Sequence, residues 1–143
     1  MTYDLPYILL ADDDPDDRDF FCDAMKRIYP NVKVRTFEDG DQLLDYLTHC
    51  PTAMLPGCIL LDYNMPRLTA PEFLLATGSE TRYAQIPKIV WSTSPRKKDM
   101  EECLNAGAVS FHIKPNTDTQ LDNLLRSLER WIDNPSMHYS LLK

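Results

Sequence analysis

Polar groups of different kinds follow four apolar runs of the chain, each of which we predict to be a strand. An acidic cluster, residues 12–14, follows the first of these runs, and Asp62 follows the second. Ser92 ends the third run, and Lys114 follows the fourth. Carboxylates suit a hard divalent cation, and a hydroxyl and an ammonium group can bind a phosphoryl oxygen. If the strand ends meet, these residues predict a magnesium-dependent site that accepts a phosphoryl group.

The acidic cluster permits two readings. Asp12 and Asp13 are adjacent carboxylates that repel each other, and burial adds to the cost of their charges, so the pair favours a cation. Oxygen-only ligands suit Mg²⁺, which takes one or two protein carboxylates and keeps several waters. The alternative is a solvated helix start, which fits Asp14, Asp16 and Asp17 as capping and first-turn acids. For Asp12 and Asp13 both readings stay open on the residues alone.

Asp62 ends a hydrophobic strand and has no capping role in view. It could be a metal ligand, a nucleophile that forms an acyl phosphate, or both. The backbone carbonyl of Asn64 could add one more oxygen to the metal. Ser92 could donate a hydrogen bond to the phosphoryl group, and Lys114 could neutralise it as a flexible point charge. A lone serine or lysine at a strand end is common, so the prediction depends on all the groups occurring together.

Length and composition indicate one globular domain of 143 residues. The net charge of −7 disfavours nonspecific binding to nucleic acid, because no basic excess exists to displace phosphate counterions. The four cysteines form no CxxC pair, which indicates small buried residues in a reducing compartment. The first residues lack a signal-peptide pattern, and no apolar run approaches the ~20 residues that span a membrane. We therefore expect a cytoplasmic protein with no membrane contact.

Strand and helix patterns alternate along the chain. The predicted strands cover residues 6–11, 32–36, 58–61, 87–91 and 109–113. The predicted helix caps are Asp14, Asp39, Thr69, Ser94 and Thr117, the second of which lies three residues before Gln42. Five strands alternating with five helices predict an α/β fold with a doubly wound parallel sheet. Ligands of such sheets bind at the carboxyl ends of the strands, where the candidate residues lie.

Four stretches carry a resemblance to a known family, namely ILLADDDPDD, ILLDYNMP, PKIVWSTS and AGAVSFHIKP. The chain resembles a response-regulator receiver domain of two-component signalling, of the single-domain type found in chemotaxis. The resemblance implies a flavodoxin-like fold with sheet order 2-1-3-4-5. It also implies a receiver domain over residues 1–134 and a short tail over residues 135–143 without a separate output domain.

The resemblance assigns a phosphoacceptor and its metal ligands. It implies that Asp62 accepts a phosphoryl group from a sensor histidine kinase or a histidine phosphotransfer protein. It implies that Mg²⁺ is held by Asp12, Asp13, Asp62 and the backbone carbonyl of Asn64. Such a protein is no enzyme toward other substrates, because it catalyses only its own phosphorylation and dephosphorylation.

The resemblance also assigns a switch. Ser92 and Lys114 would sense the phosphoryl group, Phe111 would be the switch aromatic, and the Lys114–Pro115 bond would be cis. The signal would leave through the surface of the fourth predicted helix, the fifth strand and the fifth predicted helix. The downstream protein partner is unknown, and the apolar tail makes a homodimer possible. Thr93 replaces a residue that is usually smaller and is a possible gate to the site.

One further departure from the family pattern concerns the turn before the third predicted helix. The family often has Asp-Gly where this chain has Thr69-Ala70, which predicts a different turn without loss of chemistry.

Two rival functions are consistent with the residues. The first rival is a haloacid-dehalogenase-type phosphatase, with Asp12 as nucleophile and Asp14 as acid. That family needs a further acidic motif after the lysine, whereas Asp118 and Asp122 fall in a predicted helix. The second rival is a receiver-shaped adaptor that is never phosphorylated.

Overall fold

A single parallel sheet organises the part of the chain that the computed structural model describes, residues 7–93 and 96–132. The strand order is β2-β1-β3-β4-β5, which confirms the flavodoxin-like order implied by the resemblance. The strands are β1 (Tyr7–Ala11), β2 (Lys33–Phe37), β3 (Cys58–Asp62), β4 (Lys88–Ser92) and β5 (Ser110–Ile113). Each strand boundary lies within one residue of its prediction.

Seven α-helices surround the sheet in the described residues, whereas the sequence predicted five. They are α1 (Pro15–Ile28), α2 (Gly40–His49), α3 (Ala70–Gly78), α4 (Thr81–Ala84), α5 (Lys97–Asn105), α6 (Asp118–Ser127) and α7 (Glu129–Ile132), and a 3-10 turn spans Thr52–Met54. The one-turn helix α4 lies in a segment predicted as a loop, and α7 continues the last predicted helix after a break at Leu128. Neither α4 nor α7 is long enough to show a helical period. None of these helices combines the length and apolarity needed to cross a lipid bilayer.

Four of the helices begin at the predicted capping residues. Each capping side chain accepts a hydrogen bond from a first-turn backbone N–H that has no partner within the helix. They are Asp14, Asp39, Thr69 and Thr117. The prediction for α5 was wrong by two residues, because this helix begins at Lys97 and not at Pro95. At its start the Asp99 carboxylate accepts hydrogen bonds from the backbone and the guanidinium group of Arg96. The predicted cap Ser94 and the proline after it lie outside the described residues.

Two apolar layers cover the two faces of the sheet. Successive strand residues point to opposite faces, so Leu9 and Leu61 pack with residues of α2, α3 and α5. Leu10 and Leu60 pack on the other face with residues of α1 and α6. Every residue of β3 and β4 is buried. This double burial fixes the strands in register and brings their carboxyl ends to one edge of the sheet.

Candidate functional site

Three carboxylates meet at the carboxyl edge of the sheet. Asp62 is the last residue of β3, and Asp12 and Asp13 follow β1 directly, so parallel pairing of β1 with β3 places them side by side. One oxygen from each of the three carboxylates lies within 4.8 Å of the other two. Asp12 and Asp62 are buried, whereas Asp13 is exposed. The group therefore forms an acidic pocket that opens to solvent on the side of Asp13.

Lys114 follows β5 and reaches into this pocket. Its backbone N–H donates to the carbonyl of Ser92 across the β4–β5 pair, at 2.8 Å. Its ammonium nitrogen Nζ lies 2.9 Å from Asp12 Oδ2, 2.8 Å from Asp17 Oδ2 and 3.3 Å from Asp62 Oδ1. The side chain is 9% exposed. One buried cation thus faces three carboxylates, of which Asp17 comes from the first turn of α1.

Asp12 is held in place by donors on three sides. Its Oδ1 accepts the Asp14 backbone N–H at 2.9 Å, and its Oδ2 accepts the indole N–H of Trp91 at 3.0 Å in addition to the Lys114 ammonium. Trp91 also places its ring face toward Lys114, with Nζ 5.5 Å from the ring centroid. Sequence reasoning missed Trp91 and treated it as apolar strand. The available signal was that a buried tryptophan needs a partner for its N–H.

Burial and mutual repulsion shape the electrostatics of the acidic pocket. Burial, followed by the charge of Asp12, raises the pKa of Asp62 to about 7, although Lys114 opposes the shift. Burial likewise raises the pKa of Asp12 against the hydrogen bonds from Asp14 and Lys114. Burial alone would lower the pKa of Lys114, but its hydrogen bonds with Asp17 and Asp12 hold that pKa above its ordinary value. One ammonium group therefore does not compensate the clustered carboxylates.

The donor set fits a hard divalent cation. It offers oxygen ligands only, from three carboxylates, and the exposed side leaves room for the waters that Mg²⁺ retains. A dication would favour the charged forms of Asp62 and Asp12, whose pKa values are raised mainly by burial and further by neighbouring carboxylates. Asn64, whose carbonyl was assigned as a further ligand, lies exposed in the loop between β3 and α3.

The other predicted residues lie on β4 and β5, or directly after these strands, in different environments. Ser92 is buried at the end of β4, the strand next to β3, and Thr93 after it is exposed. Phe111 on β5 is buried, and its ring meets that of Tyr63 edge to face at 6.1 Å. The implied cis bond between Lys114 and Pro115 was wrong, since the described residues contain no cis peptide bond. Trans is also the form that most X–Pro bonds favour.

Tyr63 links the pocket to α5, a connection that sequence reasoning missed. It directly follows Asp62, and its hydroxyl donates to Asp99 Oδ1 at 3.1 Å. Burial and this hydrogen bond raise the pKa of Tyr63 to about 12. Asp99 lies in the first turn of α5, where it also binds Arg96. One side chain therefore contacts both Phe111, the predicted switch aromatic, and the start of α5.

The loop after Asn64 contains a tight turn centred on Arg67. Arg67 adopts a φ of 71°, and the Leu68 N–H donates to the Pro66 carbonyl at 2.8 Å. This is a three-residue γ-turn with a non-glycine residue in the left-handed region. Thr69 then caps α3 together with Glu72, which returns a hydrogen bond to the Thr69 N–H at 3.0 Å.

The comparisons with known proteins all indicate the same family. The family model described as "Response regulator receiver domain" matches residues 8–126. The two-component response regulator ORR5 of Oryza sativa is 26% identical over 119 residues, which are 83% of this chain and 85% of that protein. The phosphorylated cyanobacterial phytochrome response regulator RcpA superposes with a TM-score of 0.81 at 25% identity, over 91% of this chain and 95% of that one. RPA3017, a response regulator in red light signaling of R. palustris, gives 0.80 at 27% identity, over 91% and 95%. The sheet order, the acidic pocket and these matches together place the chain in the family of response regulator receiver domains of two-component signalling.

Proposed function

We propose that Asp62 accepts a phosphoryl group from the phosphohistidine of a sensor histidine kinase or a histidine phosphotransfer protein, in a reaction that depends on Mg²⁺. Receiver domains accept phosphoryl groups from histidine kinases and bind Mg²⁺ or Mn²⁺ at an acidic pocket. The observation that carries the proposal is the buried Asp62 carboxylate at the end of β3, 3.3 Å from the Lys114 ammonium and beside Asp12 and Asp13.

The transfer uses the Asp62 carboxylate as nucleophile. A carboxylate oxygen attacks phosphorus, the phosphorus–nitrogen bond breaks, and its electron pair leaves with the imidazole, which takes up a proton. Asp12, Asp13, Asp62 and the Asn64 carbonyl would hold Mg²⁺, which neutralises charge on the transferring oxygens. The Lys114 ammonium neutralises a further phosphoryl oxygen. Hydrolysis returns the carboxylate, so the protein acts on its own phosphoryl group only.

The signal passes from the pocket to a surface through two contacts. The Ser92 hydroxyl donates to the phosphoryl group, which draws the loop after β4 toward Asp62 and displaces the start of α5. The Tyr63 contacts with Asp99 and Phe111 carry the same displacement to β5. Because Phe111 is already buried, we propose a repacking of this ring against Tyr63 and not the entry of an exposed ring.

The output surface is formed by α5, β5 and α6, the equivalents of the fourth predicted helix, the fifth strand and the fifth predicted helix. It carries exposed apolar residues that a protein partner can cover. They are Met100 and Leu104 on α5, Ile113 on β5, and Val109 directly before β5. The cytoplasmic location, the homodimer, the gating by Thr93 and the domain limits at residues 134 and 135 stay predictions.

Incubation with acetyl phosphate and Mg²⁺, followed by mapping of the labelled peptide, tests the proposal. We expect one label, on Asp62, which is lost in Asp62→Asn and when Mg²⁺ is chelated. Asp45→Asn, which removes an exposed carboxylate from α2, is the matched control and should label like the wild type. No label on the wild type would favour the unphosphorylated adaptor.

The rival phosphatase predicts a different outcome of the same experiment. It requires Asp12 as nucleophile, but both oxygens of this fully buried carboxylate accept hydrogen bonds from the protein. Asp14, its proposed acid, caps α1 through the Asp16 N–H at 2.9 Å. A label on Asp12, or repeated turnover of phosphate esters, would contradict the proposed function.

A further inference from the structure

We propose that Asp17 is a positioning residue that competes with the phosphoryl group for the Lys114 ammonium and thereby slows phosphoryl uptake at Asp62. This inference rests on the proposed function and adds a residue to it. Asp17 lies in the first turn of α1, and Lys114 follows β5, so the contact joins distant parts of the chain at 2.8 Å. The helix start alone assigns Asp17 only an interaction with the helix dipole.

The number of donors on Lys114 creates the competition. An ammonium group has three N–H donors. Three carboxylate oxygens, from Asp12, Asp17 and Asp62, lie within 2.8–3.3 Å of Nζ and occupy these donors. A phosphoryl oxygen that binds Lys114 must therefore displace one of these carboxylates or share its donor.

Asp17 is the carboxylate whose release costs least. Asp12 is completely buried and fixed by Trp91, and Asp62 carries the phosphoryl group itself. The Asp17 side chain is 28% exposed, so water can solvate it when the ammonium turns away. While it stays in contact, Asp17 reduces the positive charge that Lys114 presents and repels the incoming dianion.

Asp16 provides a matched control in the same helix turn. It is also an acidic residue of the first turn of α1, and it is exposed. The ion pairs of Lys114 within the described residues do not include Asp16. Asp16→Asn and Asp17→Asn therefore remove the same formal charge from the same turn, but only the latter removes a partner of Lys114.

The experiment measures the rate at which acetyl phosphate labels Asp62 at saturating Mg²⁺ in the wild type and both variants. We expect Asp17→Asn to label about fivefold faster than Asp16→Asn, the factor that corresponds to losing one partly exposed ion pair. The affinity for beryllofluoride, followed by Trp91 fluorescence in a Trp131→Phe background, should rise in Asp17→Asn. In a Lys114→Gln background the acceleration should disappear, because Asp17 acts through Lys114.

The outcomes separate this inference from the proposed function. A wild type that Mg²⁺ and acetyl phosphate do not label overturns the proposed function and this inference with it. A labelled wild type with equal or slower labelling of Asp17→Asn relative to Asp16→Asn overturns only the role of Asp17. An acceleration that persists in the Lys114→Gln background also overturns it. If thermal unfolding shows that Asp17→Asn is not folded, Asp17→Ser is measured against Asp16→Ser in the same way.

Discussion

At the scale of single residues, Lys88 is a buried amine near the start of β4. It is 3% exposed, and its Nζ donates to the Tyr83 carbonyl at 2.7 Å. That carbonyl also accepts the Ile86 N–H at 3.1 Å, so it keeps a partner if the amine is removed. Burial lowers the pKa of Lys88, which means that folding disfavours its charged form. We therefore predict that Lys88→Met increases the free energy of unfolding at pH 7.

The pH dependence of this gain has a defined sign. Between the lowered folded-state pKa and the ordinary value near 10.5, the unfolded chain binds more protons than the folded one at this position. Stability of the wild type therefore rises with pH in this window, so the advantage of Lys88→Met shrinks toward pH 10.5. Urea unfolding of both proteins across pH 7–10.5 measures the difference. A difference that grows with pH would contradict the prediction.

Arg67 stores backbone strain in the loop that follows Asp62. Its φ of 71° is unfavourable for a residue with a side chain but not for glycine. We predict that Arg67→Gly increases the free energy of unfolding by roughly 1 kcal/mol, reduced somewhat by the greater freedom of the unfolded chain. Arg67→Lys keeps the strain and should remain within about 0.5 kcal/mol of the wild type. Denaturant unfolding distinguishes them, and equal stability of the two variants would argue against strain.

Residue types at strand ends were enough to predict that the three carboxylates and Lys114 meet at one sheet edge. The convergence of Asp12, Asp62 and Lys114 follows from parallel strand order, which the alternating pattern predicts. The need of a buried tryptophan N–H for an acceptor was a signal for Trp91, but the identity of its partner, like that of Asp17, depends on side-chain rotamers and on how α1 crosses the sheet edge. These unpredicted contacts decide how the buried charges are balanced.

At the scale of elements, Gly40 sets the distance between α2 and the loop after β3. A Cβ at this position would lie 2.7 Å from the Leu68 carbonyl oxygen and 2.9 Å from the Leu68 Cβ. We predict that Gly40→Ala destabilises the fold by about 1–3 kcal/mol through overpacking, as measured by urea unfolding. It should also slow labelling of Asp62, because Leu68 belongs to the loop that contains Asn64.

Gly78 provides the control for this prediction. It ends α3, and a Cβ added there would have the Ala106 carbonyl oxygen as its nearest neighbour, at an ordinary 3.9 Å. Gly78→Ala should leave stability unchanged or raise it slightly, because alanine is the better helix former. A loss in Gly78→Ala as large as that in Gly40→Ala would show that space beside Leu68 is not the cause.

Helices that begin with a capping side chain were predicted well, and short helices without such a cap were not. Caps at Asp14, Asp39, Thr69 and Thr117 fixed four helix starts to the residue, because each cap satisfies a specific backbone N–H. The start of α5 was misplaced because Ser94 and Pro95 present the same cap-and-proline signal two residues too early. Tertiary contacts help to hold α4, where Tyr83 donates its hydroxyl to the Leu47 carbonyl of α2, and such contacts leave no local pattern.

At the scale of the whole molecule, the fold gathers like charges that elementary electrostatics would separate. The chain has a net charge of −7, and its sheet places three carboxylates within 4.8 Å of one another. Two fully buried strands and two apolar layers supply the stability that holds this arrangement. The acidic pocket is therefore a local source of instability that the remaining core offsets.

Mg²⁺ bound in the acidic pocket should offset the repulsion there and stabilise the whole folded molecule. We predict that Mg²⁺ raises the free energy of unfolding by about 2.7 kcal/mol at a free concentration of roughly one hundred times its Kd, if it binds the folded state only. Thermal unfolding with and without Mg²⁺ measures the effect. Asp16→Asn should keep the response, because Asp16 lies outside the acidic pocket.

We predict that Asp13→Asn is more stable than the wild type without Mg²⁺ and less stable than the wild type with it. Without metal it removes one of the repelling carboxylates, so its unfolding temperature should exceed that of the wild type. With Mg²⁺ it lacks a ligand, so the wild type should become the more stable protein. An equal Mg²⁺ response in wild type and Asp13→Asn would place the cation elsewhere. The reversal would show that the sheet edge is organised for a charge that the chain itself does not provide.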